Sequence, residues 1–180
     1  MIGRGEVVIV SGPPGSGKTT VSAALATGYE RGVHLESDWF FQSIRSGFVS
    51  PWLPDAHTQN AAVMVVAADA AAAYADAGYS VVWDGIVGPW FLDQVARRLE
   101  AREIGVQYLV LRPGRVTASQ RVRGRGDAPE SSGAETMYDQ FADLGEFEPH
   151  VISSDAPAEQ VIEACRAALA NGSLEVRFHP

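Results

Sequence analysis

Lysine is nearly missing from this chain. Lys18 is the only one in 180 residues, and every other basic side chain, histidine apart, is arginine. Cysteine is as scarce: Cys165 stands alone, which excludes an intrachain disulfide and any metal site built from several cysteines. Positive charge is short overall, the formal net charge being -8, so nucleic acid is not an expected partner, because phosphate-backbone binding depends on clustered cations. A long leucine-type apolar run is lacking too. The nearest approach, residues 61–77, is interrupted by Asp69 and Asp76 and is rich in alanine, which suits a buried helix rather than a membrane span. The opening MIGRGEVVIV enters a strand-like stretch with no apolar segment ending in a small-residue cleavage site, so a cytoplasmic location away from membranes is expected.

What remains is a globular composition, 46% hydrophobic and 20% charged, at a length that suits one domain spanning residues 1–180. Apolar runs of strand length alternate with helical patterns. Strands are expected at 6–10, 33–36, 80–83, 106–111 and 151–153, with helices at 19–26, 56–77, 90–103, 117–123, 134–144 and 157–170. The stretch GRGDAPESSG, residues 124–133, has the composition of a mobile loop, and residues 173–180 carry no readable pattern. Strand–helix alternation implies a three-layer α/β fold, a doubly wound parallel sheet of five strands with helices on both faces. In such sheets the chemistry gathers beyond the C-terminal ends of the strands.

After the first strand comes Gly12-x-x-x-x-Gly17-Lys18-Thr19, with a strand before it and a helix after it. Glycines let the backbone curl so that successive N–H groups converge on phosphate oxygens, and the helix N-terminus adds its positive end. Gly12, Pro13, Pro14, Gly15, Ser16, Gly17, Lys18, Thr19 and Thr20 therefore form a candidate cradle for ATP. Lys18 is placed to reach the β- and γ-phosphates, and the Thr19 hydroxyl to ligate Mg²⁺. A compact ammonium fits inside a closed backbone nest where a planar guanidinium is wider. A guanine-reading Asn-Lys-x-Asp element cannot exist in its usual form, because the one lysine is already used.

Three further features suit transfer of a phosphoryl group to a small acceptor. Asp38, just after the second strand, could accept the proton of an attacking hydroxyl, or it could merely cap the helix beginning at Trp39. Asp84, ending SVVWD, could orient Mg²⁺ or share the base role, or it could only form a turn with Gly85, beyond which residues 85–89 would line the acceptor pocket. Arg121 and Arg125, four apart at the edge of the mobile stretch, could close as a lid (roughly residues 115–133) over the transferring phosphoryl, or form a solvated basic face; Arg112 and Arg115 could stack on adenine. Trp39, Phe40, Phe41, Trp52 and Trp90 follow the second and third strands. They would wall an acceptor that is partly apolar and carries a hydroxyl, such as an antibiotic or nucleoside, or pack helices onto the sheet. The four histidines are expected in ordinary surface or packing roles.

GPPGSGKTT, an acidic residue some twenty positions beyond the lysine, VVWDG, and LRP followed by an arginine-bearing segment together resemble the small P-loop kinases. The likeness runs from residue 7 to about 169, and is greatest to the group containing chloramphenicol phosphotransferase, zeta-toxin-like kinases and the AAA_33 set. The resemblance implies a sheet of order 2-3-1-4-5 of the P-loop NTP hydrolase type, ATP with Mg²⁺, and phosphorylation of a hydroxyl. It makes Asp38 the counterpart of the strand-two base and Arg121 and Arg125 the counterparts of the lid arginines. Glu36-x-Asp38 is similar to the acidic pair of gluconate and shikimate kinases, but the chain departs from gluconate kinases after that point, so a sugar-acid acceptor is not implied. A nucleoside or nucleotide kinase, or a regulatory ATP-binding protein without transfer, are the alternatives. Oligomeric state is not readable.

Overall fold

The structure, a computed structural model, describes residues 3–126 and 133–176. Its strands are β1 (Val7–Ser11), β2 (Gly32–Glu36), β3 (Ser80–Asp84), β4 (Val106–Arg112) and β5 (Val151–Ser153). All four strand pairings are parallel, and the sheet order is β2-β3-β1-β4-β5. The helices are α1 (Lys18–Ala26), α2 (Ser37–Gln42), α3 (His57–Asp76), α4 (Pro89–Glu100), α5 (Arg115–Gly124), α6 (Ala134–Gln140) and α7 (Ala158–Ala170), with 3-10 turns at Pro54–Ala56 and Gly145–His150.

β1 is fully buried, as expected of a central strand whose two faces are both covered by helices. Its alternation of side chains divides the core. Val7 and Ile9 join the cluster under α3 and α4, while Val8 and Val10 join the one under α1 and α7. α3 buries Ala67, Ala68, Ala71, Ala72 and Ala75, so the alanine-rich run works as a close-packing face against the sheet and α4. Among the described residues no helix is long and apolar enough to cross a membrane.

Element limits shift by one to four residues from the expected ones, which is normal where ends fray. Two differences matter. The helix after β2 begins at Ser37 with Glu36 as its N-cap, so Asp38 lies inside the first turn and does not cap it. The stretch after α7, which the pattern left unread, has structure as far as residue 176. Tyr108 N–H donates to Leu174 O (2.9 Å) and Val176 N–H to Val106 O (3.0 Å), covering the part of the β4 edge that short β5 leaves open. Residues 127–132, in the middle of the expected lid, and 177–180, with His179, lie outside the described residues.

Arg112 and Arg115, expected to be free for stacking on adenine, are both engaged by carboxylates. Arg112 forms two hydrogen bonds with the Glu148 carboxylate (2.8 and 2.7 Å) and a third with Phe141 O (2.9 Å), tying β4 to the chain after α6. Arg115 pairs with Asp139 and lies over the Tyr138 ring, 4.5 Å from its centre. Strand-end position suggested a ligand; the acidic residues of α6 and the following turn, distant in sequence, take both guanidinium groups instead. Arg112→Ala is expected to cost about 1.5–3 kcal/mol of stability by chemical denaturation, the range for hydrogen bonds to charged groups. Hydrogen bonds from Arg112 and the Leu144 N–H hold the Glu148 carboxyl down at about 2, from 4.5. A depressed carboxylate stabilises above its unfolded value and loses that contribution as pH falls through the folded one. Melting temperature should therefore drop between pH 4.5 and about 2 more steeply in the native chain than in Glu148→Gln.

Candidate functional site

The loop from Gly12 to Gly17 joins β1 to α1, and its glycines take φ of +140° (Gly12), +78° (Gly15) and +93° (Gly17). A Cβ on Gly15 would lie 2.5 Å from Ala118 O, so the loop is pressed directly against α5. Ser16 is buried, and the half-buried Lys18 folds back along the loop. Its Nζ donates to Gly12 O (2.9 Å) and Pro13 O (3.0 Å), with Ser16 Oγ at 3.5 Å. Burial pushes the Lys18 ammonium down to about 8; Asp84 and Asp38 pull it up, and Arg125 adds to the lowering. Thr19 and Thr20 are exposed at the start of α1.

Parallel register brings the acidic residues to this lysine. Asp84 stands beside Val10 on one side and Glu36 on the other, at the C-terminal ends of three adjacent strands. It is 5% exposed, and His34 Nε2 approaches its Oδ2 at 3.5 Å. Asp38 is raised above the ordinary carboxylate value by desolvation, opposed by Lys18 and assisted by the Asp84 and Glu36 charges. Lys18, Thr19, Asp38, Asp84, Gly85 and Arg125 share one cavity of about 190 Å³ above the loop. Arg125, the C-cap of α5, also borders a neighbouring space of about 360 Å³ with Thr20 and Arg121. Arg121 Nη1 donates to Ser154 O (2.9 Å) and Gly15 O (3.4 Å), so it braces the loop against the end of β5.

On the other side of Asp38 lies a larger cavity, about 630 Å³. Asp38 and Ile86 line both it and the cavity over Lys18. Trp52, Trp90 and Phe41 line its wall, whereas Phe40 packs on the core. Trp39 does not contribute: it is 67% exposed and donates through Nε1 to Glu36 Oε1 (3.3 Å), turned outward by the helical phase of α2. Of residues 85–89 only Ile86 reaches the larger cavity, Gly85 lining the one over Lys18. Val87 is buried because its backbone is pinned: Ser11 Oγ donates to Val87 O (2.8 Å) and accepts from Val87 N (2.9 Å), and Tyr108 Oη donates to the same carbonyl (2.7 Å).

Sequence reasoning missed the α3 and α6 contributions: His57, Asn60 and Met64, then Thr136, Met137 and Gln140. His57 is exposed and stacks on Phe91 with centroids 5.7 Å apart, a packing role of the kind expected, and it also borders the cavity. Polar residues in the first turn of a long apolar helix were the available signal for His57 and Asn60. Nothing in the local pattern marked α6.

Residues 7–146 match the AAA domain family AAA_33. No curated protein matches the chain in sequence. Among solved structures, a sugar kinase from Janibacter sp. HTCC2649, unliganded, superposes with TM-score 0.67 at 24% identity, covering 92% of this chain and 95% of its own. The tunicamycin resistance protein of Deinococcus radiodurans gives 0.68 at 20%, covering 97% and 100%. The Mycobacterium tuberculosis APS kinase in complex with AMPPNP and APS gives 0.67 at 15%, covering 93% and 99%. At these identities the likeness is one of fold.

Proposed function

We propose, from the premise that this chain belongs to the AAA_33 family, that it is an ATP-dependent phosphotransferase moving the γ-phosphoryl group to a hydroxyl of a small molecule. The observation that carries this reading is the double exposure of Asp38, which lines both the cavity over Lys18 and the larger cavity beside it. A carboxylate standing between a phosphate cradle and a second binding space is where a general base has to be. Kinases among the proteins of similar fold support the reading.

In the proposed reaction the acceptor hydroxyl gives its proton to Asp38 while its oxygen attacks the γ-phosphorus. The bond to the β,γ-bridging oxygen breaks, leaving ADP and a phosphate ester. Lys18 and Arg125 offset the charge spreading over the transferred group, and Arg121 holds the loop that carries it; with α5 they form the lid side of the site. The Thr19 hydroxyl and the Asp84 carboxylate share the cavity over the loop and are hard oxygen donors of the kind Mg²⁺ takes. They would hold that ion beside the phosphates, where it neutralises charge on them.

Coupled detection of ADP across a panel of alcohols, sugars and nucleosides tests the proposal: a matching acceptor should stimulate release well above the rate with ATP alone. No stimulation across the panel would leave a nucleotide-binding protein without transfer. Arg125→Ala is expected to lower the stimulated kcat by about 100-fold, the loss typical of one charge-stabilising donor. Arg121→Ala should raise KM for ATP more than it lowers kcat, because Arg121 braces the loop through Gly15 O. Steady-state kinetics with ATP varied separates the two.

A further inference from the structure

The cavity beyond Asp38 has a chemical character sharper than its size. Its described lining contains no lysine and no arginine, and Asp38 is its one carboxylate. Arg45, the one arginine between β2 and α3, is not part of the wall. An anionic acceptor entering here would surrender its hydration without a lysine or arginine in the described lining to pair with, next to a negative base. A cationic acceptor would pair with Asp38 and occupy the group that must take the proton. What the wall offers is aromatic and aliphatic surface: Phe41, Trp52, Trp90 and Phe91, with Ile86 and Met64.

The wall is also preformed. Gln59 clamps Val49 through both backbone groups, Nε2 to O (2.7 Å) and Oε1 from N (2.8 Å), and Asn60 Nδ2 donates to Pro51 O (2.7 Å). These bonds fasten the loop carrying Trp52 to the first turns of α3. On the far side Trp52 packs against Gly133, the N-cap of α6, where a Cβ would come within 2.2 Å of its Cγ. Gly133 also has φ +66°, so glycine is needed there twice over. Trp52 thus spans from the loop after α2 to α6 across the cavity.

We propose that this cavity selects an uncharged, ring-bearing alcohol with a mainly apolar body, held by Trp52 and Trp90 so that its hydroxyl meets Asp38, and that it rejects acids and phosphorylated or sulfated acceptors. The inference rests on the phosphotransferase reading for the role of Asp38, but its test needs no turnover.

Equilibrium dialysis of the full chain, without nucleotide, against 2-(2-naphthyl)ethanol and 2-naphthylacetate compares the same ring carrying a hydroxyl or a carboxylate. The alcohol is expected to bind more than about tenfold tighter than the acid. Trp52→Ala and Gly133→Ala should each weaken the alcohol, the former by about tenfold, the worth of a good aromatic contact. Gln42→Arg, which sets a cation at the exposed end of α2 bordering the cavity, should narrow or invert the preference without disturbing the core. Equal or tighter binding of the acid to the native chain, or binding of neither compound, overturns the inference. Tight alcohol binding with no acceptor-stimulated ADP release upholds this inference and overturns the phosphotransferase reading. Stimulation by anionic alcohols alone overturns the inference and upholds that reading.

Discussion

Lys18→Ala is expected to lower acceptor-stimulated ADP release by about 100- to 1,000-fold, the cost of losing one preorganised positive group from a site of charge development. Lys18→Arg should recover little of it. The Lys18 ammonium sits within 3.0 Å of two carbonyls of its own loop, Gly12 O and Pro13 O. A guanidinium is planar and wider, and prefers a fork-shaped partner that this nest does not present. The nest cannot open to admit it, because Gly15 is already pressed onto the Ala118 carbonyl of α5. A second readout follows from the same burial. With its ammonium pushed down to about 8 in the free protein, Lys18 loses its charge as pH rises through that value, so kcat/KM for ATP, which reports the groups of the free enzyme, should decline on the alkaline side near pH 8. The arginine variant, charged throughout, should retain its small residual rate there without that decline. Near-normal kinetics for Lys18→Arg at neutral pH would sink the steric account of why a chain otherwise furnished with arginine has a lysine at this point.

How far such a site can be read in advance depends on whether its signals are local. The glycine spacing around Lys18 is local, and so is the strand-end position of Asp84 and Asp38; each was visible because strand length, turn and helix start are written in consecutive residues. The parallel sheet followed from the alternation of patterns, but its order came through family resemblance, since no local pattern says that β1 lies between β3 and β4. The wall of the larger cavity is where local reading fails. Trp39 and Trp52 look alike in sequence, yet helical phase turns Trp39 to solvent while the clamps from Gln59 and Asn60 draw the loop bearing Trp52 over the cavity. Met137 and Thr136 border that cavity because α6 lies across it from α3, an arrangement of residues far apart in the chain. Arg112 and Arg115 show the converse. Their strand-end position was legible, but their carboxylate partners Glu148 and Asp139 were not.

Asp38→Asn separates chemistry from binding most sharply. The variant is expected to lower acceptor-stimulated ADP release by about 100- to 10,000-fold, the span of positioned general-base catalysis, while ATP affinity measured by calorimetry stays close to native. Asparagine keeps the size and polarity of the side chain but cannot take a proton. Asp84→Asn should behave differently, weakening ATP binding in the presence of Mg²⁺ as well as turnover, because Asp84 faces only the phosphate side. Desolvation holds the Asp38 carboxyl above its ordinary 3.8, and the Lys18 charge does not fully offset this. The native acceptor-stimulated rate should therefore fall on the acid side at a pH above that of an ordinary aspartate. The linkage has a consequence for stability with a definite sign. A carboxyl whose folded value is raised contributes most when neutral, below its unfolded value, and that contribution is lost as pH rises through the folded value. At pH 7 native Asp38 is on the unfavourable side of that change, and a permanently neutral asparagine removes the penalty. Asp38→Asn should accordingly melt no lower than the native chain, and higher if desolvation dominates as the first of its causes. An inactive variant with undiminished melting temperature is the signature of a group kept for chemistry at some expense in folding. Full acceptor-stimulated activity in Asp38→Asn would instead move the base to Asp84, and with it the acceptor hydroxyl to the phosphate side of Ile86.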